Sequence, residues 1–180
     1  TGSGKAGAIA ARWIDAYRGI SRANIVLDRI GPVEMDAGLK DRIMGEAKFL
    51  RAYYYFNITK IFGDVPLVLK ELVDHEEAYD YGREPADKVY TQIQKDLTEA
   101  IAALPANYGS ADVGRATSGA AKAMLARVLL FRGKHREGAA LLKDIEISAS
   151  IERSGGLVAG EAVRIQQVFW NLLSDALKIT

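Results

Sequence analysis

The sequence predicts an all-α protein of antiparallel helix pairs stacked as an α-solenoid. Apolar residues recur at three- and four-residue spacing in five separate stretches, most of them closed by glycine or proline. The octets FLRAYYYF at 49–56 and MLARVLLF at 124–131 echo each other, as the members of stacked helix pairs do. The 180 residues, 49% of them apolar, suffice for one domain with a sizeable core.

The first helix is expected over 8–30, where Ile9, Trp13, Ala16, Tyr17, Ile20, Ala23, Leu27 and Ile30 share a stripe and Gly31-Pro32 ends it. On that stripe Trp13 and Tyr17 read as core, not as sugar-stacking rings. Arg22 and Asn24 read as a buried polar bridge or cap between helices. Residues 1–7 read as a flexible terminus. Their Gly2-Ser3-Gly4-Lys5 resembles the end of a phosphate-binding loop, but Ala6 stands where the magnesium-binding hydroxyl belongs, and the motif's first glycine and preceding strand are missing.

The second helix begins near 37 with Leu39, Ile43, Ala47, Leu50, Tyr54, Ile58 and Ile61 on its inner face, flanked by Phe49, Tyr53 and Phe56. Arg51, amid these rings, is expected to pair with a carboxylate or a helix C-terminus. Gly63 should stop the helix in a left-handed conformation, Pro66 follows, and 65–69 leaves extended. Asn57-Ile58-Thr59 matches a glycosylation sequon, but in mid-helix it is read as accidental.

Residues 70–85 read as the least structured part of the middle, a solvated acidic turn. Asp74, His75, Glu76 and Glu77 do not make a metal site, because adjacent residues share no helix face. Tyr79 and Tyr81 are the ligand-binding candidates, since loop aromatics can stack on the apolar face of a sugar ring or anchor a partner.

Pro85 opens a third helix carrying Val89, Ile93, Leu97, Ile101 and Leu104, which Leu104-Pro105 stops. A Gly/Ser/Asn loop over 105–118 ends at a Thr117 or Ser118 cap. The fourth helix, 120–131, is apolar nearly all round and so is expected to be buried. A turn at 132–135 leads to the fifth helix, 136–147. Small crossing residues and a Gly133…Glu137 turn give this pair the pattern of a tetratricopeptide unit, with His135 for the usual aromatic and Gly138 for alanine. Gly138 costs about 1 kcal/mol of helix propensity, so the repeat is degenerate. A loop over 148–160 and a last helix with Val163, Gln166, Trp170, Leu173 and Leu177 close the chain.

Twenty-four basic and 23 acidic residues give a net charge of +1, so neither nucleic acid nor an anionic membrane surface is called for. Without cysteine there is no disulfide, zinc-thiolate site or cysteine nucleophile. No run reaches the roughly 20 apolar residues of a membrane span, and no signal peptide is seen. There is no G-x-S-x-G elbow, no H-E-x-x-H motif and no histidine relay. The expectation is a non-enzyme with no catalytic residues, no metal and no cofactor.

The run GEAKFLRAYYYFNITKIFGDVPL at 45–67 resembles the signature of the SusD/RagB family of surface glycan-binding lipoproteins from Bacteroidetes. Upstream, Trp13, Tyr17, Ile20, Arg22, Ala23, Asn24, Leu27 and Ile30 continue the likeness. Downstream it takes in Arg83, Val89, Tyr90, Ile93, Asp96, Leu97, Ala100, Leu104-Pro105 and Gly114-Arg115 with Thr117, then AAKAMLARVLLFRGKHREGAALL at 120–142. The resemblance covers 13–147. It implies a tetratricopeptide-like helical half, tethered at the outer membrane by an N-terminal lipid, that serves as scaffold and as contact surface for a SusC-like TonB-dependent transporter receiving oligosaccharide or peptide. It also implies a longer precursor with a lipidated cysteine. Residues 1–180 are thus expected to be one helical domain, a fragment whose segment 148–180 the resemblance does not cover. A free-standing helical-repeat adaptor would explain the helix pattern but not the family blocks.

Overall fold

A computed structural model describes residues 2–154 of the chain. It contains five helices among the described residues: α1 (Gly2–Arg29), α2 (Ala37–Phe62), α3 (Ala86–Ala103), α4 (Ser118–Phe131) and α5 (His135–Ser154). A two-stranded antiparallel ladder pairs β1 (Val65–Pro66) with β2 (Arg83–Glu84). The expected all-α architecture holds, with that ladder as a small addition. Two compact units divide after Ser118.

In the first unit α2 lies between α1 and α3. Trp13 meets Phe62, Gly19 faces Tyr54, and Asn24 reaches Arg51, so α1 and α2 run antiparallel. Gly45 against Leu104, Lys48 paired with Glu99, Arg51 with Asp96 and Phe56 beside Tyr90 give α2 and α3 the same relation. A Cβ at Gly19 would fall 2.1 Å from the Tyr54 ring, and one at Gly45 would fall 2.9 Å from the Ala103 methyl. Both crossings therefore depend on the missing side chain. Ile20, Tyr55, Phe56, Ile58, Val65, Val89, Ile93 and Leu97 form a nearly solvent-free core.

Helix α2 starts at its expected place because the Asp36 carboxylate accepts the Leu39 N–H at 2.8 Å, an N-cap. It stops at Gly63, whose N–H still reaches the Thr59 carbonyl at 2.9 Å. Gly63 has φ +69° and ψ −117°, so it occupies the mirror-β quadrant and not the left-handed helical one. Only glycine enters that quadrant readily.

The buried face of α2 differs from the expected one. It carries Gly45, Ala47, Arg51, Ala52, Tyr55, Phe56, Ile58 and Thr59. Leu50 and Ile61 are each 46% exposed, and Leu39 and Tyr53 are also on the outside. The cause is chemical: Arg51 and Thr59 occupy inward positions, so a count of apolar residues alone rotates the face by about one residue. The expected buried pair on α1 is half right. Asn24 is fully buried, whereas Arg22 is exposed.

Other boundaries shift too. Helix α1 begins at Gly2, so the segment read as flexible, including Gly2-Ser3-Gly4-Lys5, has helical backbone. Ala6, Ala8, Ala10 and Ala11 favour propagation and no proline interrupts it. The acidic stretch is ordered as a 3₁₀ turn, His75–Asp80. Helix α3 begins at Ala86, with Pro85 in the N-cap position and unable to cap. Asp64 takes over that task, accepting the Ala86 N–H at 2.9 Å.

In the second unit, α4 and α5 run antiparallel through a turn at Gly133, which has φ +73°. Ala126, Leu142 and Ile145 form its core, with Ala123, Leu130 and Leu141 packed around them. Lys122 pairs with Asp144 across the two helices. Ala120, Arg127 and Phe131 are exposed, so α4 is not buried all round. Gly138 is buried, and a Cβ there would lie 3.0 Å from Leu130 and 3.1 Å from the Ala126 carbonyl. The glycine thus serves a close crossing. Helix α5 extends to Ser154, past the end expected at 147, because 148–154 holds no glycine or proline. The remainder of the expected loop and the last helix lie outside the described residues.

Candidate functional site

Residues 66–70 run without a strand partner beyond Pro66, yet nearly every backbone oxygen there is satisfied by a side chain. The Tyr17 hydroxyl donates to the Pro66 carbonyl at 2.7 Å. The Tyr55 hydroxyl donates to the Val68 carbonyl at 2.9 Å and accepts the Val68 N–H at 2.7 Å, as a paired strand residue would. Asn24 donates through Nδ2 to the carbonyls of Val68 and Lys70, each at 3.0 Å. Arg51 reaches the Leu69 carbonyl at 3.3 Å. Buried backbone groups need such partners, and α1 and α2 supply them from within the core.

Arg51 is itself held. Its Nε and Nη2 donate to the two oxygens of Asp96 at 2.8 and 2.7 Å, and Nη1 donates to the Asn24 Oδ1 at 2.9 Å. Gln92 in turn braces the carboxylate, donating to Asp96 at 2.9 Å. The carboxylate expected for Arg51 is therefore Asp96, on α3. Burial pushes the Tyr17 and Tyr55 hydroxyls well above the usual phenol range.

This framework positions the loop that carries Tyr79 and Tyr81. Immediately after it, the Glu71 N–H donates to the Asp28 carboxylate, and the Glu71 carboxylate accepts from Arg29 Nε at 2.6 Å and from its Nη2. The 3₁₀ turn is closed by a capping box, in which Asp74 accepts the Glu76 N–H at 3.0 Å and Glu77 accepts the Asp74 N–H at 3.2 Å. Lys70 donates to Glu77 at 2.9 Å and holds its carboxyl below the usual carboxylate range, helped by the Asp74 N–H. The Asp74 and Glu77 carboxylates are thus committed to shaping the turn. The return strand is fixed by the ladder and by Arg83, which donates to the carbonyls of Asp64 at 2.9 Å and Phe62 at 3.2 Å.

On this loop the two tyrosines differ. Tyr79 is 86% exposed, while Tyr81, at the end of the turn, is half-buried. Val73 is 83% exposed. The arrangement offers a bare aromatic face suited to stacking. Trp13 and Tyr17, set aside as core, touch each other at 4.8 Å between ring centroids and are half-buried.

A second feature lies at the other end of α2. Gly38, Arg42, Leu104, Pro105, Tyr108 and Asp112 line an open cleft of about 420 Å³. Beside it, Arg115 donates to Glu46 at 2.9 Å and to Asp112 at 2.7 Å. Arg42 lies 3.8 Å from Glu46, 3.5 Å from Asp112 and 5.6 Å from the centre of the Tyr108 ring. These alternating charges pin the 105–117 segment onto α2. Arg115 keeps the Asp112 carboxyl below its usual range, and burial with the Glu46 hydrogen bond pushes the Tyr108 hydroxyl up to about 12.

Among the described residues no three metal-ligating side chains gather, and no helix is long and apolar enough to cross a membrane.

Residues 3–130 match the family model described as SusD-like, starch-binding associating with outer membrane. Two SusD-like proteins of Formosa agariphila are 36% and 31% identical over 64% and 74% of this chain, which covers 22% and 26% of them. A solved laminarin-binding SusD-like protein superposes with a TM-score of 0.71 at 40% identity, over 75% of this chain and 29% of its own. A SusD-like protein from Bacteroides fragilis superposes with a TM-score of 0.72 at 34% identity, over 77% of this chain and 27% of its own. The chain spans about a quarter of the length of these relatives.

Proposed function

The chain belongs to the SusD-like family, and on that premise we propose that it is the helical scaffold of a surface glycan-binding lipoprotein. In this reading the whole protein captures oligosaccharides at the outer membrane and passes them to a SusC-like TonB-dependent transporter. It catalyses nothing. The helices serve as framework and transporter-facing surface, and residues 1–180 act as one helical domain whose tetratricopeptide-like part is 8–147. In this reading a lipid anchors the whole protein to the outer membrane. The observation that carries the reading is the 40% identity to a laminarin-binding SusD-like protein over three quarters of the chain.

Tyr79 and Tyr81 are the proposed sugar contacts. A solvent-facing ring gives a saccharide's C–H face an apolar surface. Calorimetric titration of the intact chain with laminarihexaose tests this. Binding that weakens at least tenfold in Tyr79→Ala supports it, whereas heat of binding that is the same in Tyr79→Ala and Tyr81→Ala removes these residues from the site. A chain that binds no glycan but captures an extended peptide would favour a helical-repeat adaptor.

A further inference from the structure

The loop from Glu71 to the return strand β2 displays Val73 and Tyr79, both more than four-fifths exposed. Large apolar side chains in water on a loose loop would lose freedom on meeting a ligand, and that loss weakens binding. This loop is not loose at its ends. Residues 66–70 are tied to Tyr17, Asn24, Arg51 and Tyr55, and the return is tied by Arg83. The first residue beyond the buried ties is Glu71. Both its backbone N–H and its carboxylate are taken, by Asp28 and Arg29 in the last turn of α1. Its side chain is only 14% exposed although the loop after it stands in solvent.

We propose that Glu71 is a positioning residue: gripped by Asp28 and Arg29, it holds the 72–81 loop in the shape that meets the oligosaccharide. The inference rests on the reading that Tyr79 and Tyr81 are the sugar contacts, and it adds what keeps them in place. The grip joins the loop to α1 at the surface, so it can be released without opening the core.

The test compares wild type with Glu71→Ala, Glu71→Gln and Tyr79→Ala in the intact chain, by amide hydrogen exchange and by titration with laminarihexaose. Glu71→Ala should leave the melting temperature nearly unchanged, speed exchange across 72–81, and weaken binding roughly tenfold, the equivalent of ordering one or two side chains. Glu71→Gln keeps a hydrogen-bond acceptor and should fall between. Unchanged exchange in Glu71→Ala overturns the proposal, as does faster exchange with undiminished affinity. If Tyr79→Ala binds like wild type, or wild type ignores laminarihexaose, the sugar-contact reading fails. The exchange rates then decide the anchoring alone.

Discussion

The two units join their helices by different means. In α1–α3 the centre is polar: a guanidinium, a carboxylate and an amide meet at full burial, and two tyrosine hydroxyls stand in for strand partners. In α4–α5 the centre is Ala126, Leu142 and Ile145, and closeness comes from a glycine. An apolar centre serves to join a hairpin, with the Lys122–Asp144 pair at its surface. The polar centre does something packing cannot, since it gives directional partners to an irregular segment lying against the core. Buried charge is weak evidence of stability in itself, but it can specify one arrangement. Here it specifies where 66–70 runs, and with it the origin of the exposed loop.

The sharpest way to break this contrast is to strip the centre of its charge balance. Asp96→Ala leaves Arg51 buried with its main partner gone and should cost about 3–5 kcal/mol in urea unfolding. A loss under 1 kcal/mol, on the same scale, would show that water or another group compensates. Tyr55→Phe strips the Val68 N–H of its acceptor while Asn24 still serves the carbonyl, so a loss of about 2 kcal/mol is expected. Gly138→Ala probes the other unit. Helix propensity favours alanine by about 1 kcal/mol, but overpacking against Leu130 and the Ala126 carbonyl costs about 1–3 kcal/mol. The net expectation is a small destabilisation, and a stabilised variant would show that the crossing can relax.

Alkaline titration gives a fourth, gentler check. Tyr17, Tyr55 and Tyr108 all have raised pKa values, so the folded chain keeps protons that the unfolded chain has lost. Their contribution is complete below about pH 10, the usual tyrosine value, and falls as pH climbs toward the raised values. Denaturation midpoints should therefore decline above pH 10 and hold steady from 8 to 9.5, the rough range in which free tyrosine stays protonated.

Much of this was legible in the residues. Gly63 marked the end of α2 by chemistry that needs no tertiary context, and Asn24 was readable as a bridge because an amide on an apolar stripe must find partners. The inward face of α2 was not legible, because Arg51 faces in only when Asp96 and Asn24 are present to receive it. The β1–β2 ladder escaped because two-residue strands carry no periodicity. The 3₁₀ turn left a signal that was passed over: Asp74 three residues before Glu77 is a capping-box pattern, hidden within a run of acids. As for the candidate site, the sequence pointed to both tyrosines but could not separate the bare ring of Tyr79 from the half-buried Tyr81.

Asn24→Leu offers the most direct test of what the polar centre is for. Leucine is similar in size and apolar; it strands the Lys70 carbonyl, leaves the Val68 carbonyl to the Tyr55 hydroxyl alone, and removes the Oδ1 that accepts from Arg51. Amide exchange should accelerate selectively across 67–71 and into the following loop, ahead of the helical amides of α2. Uniform acceleration throughout α1–α3, with 67–71 no more affected than α2, would mean that the polar centre supports the fold in general and does not hold the segment in particular.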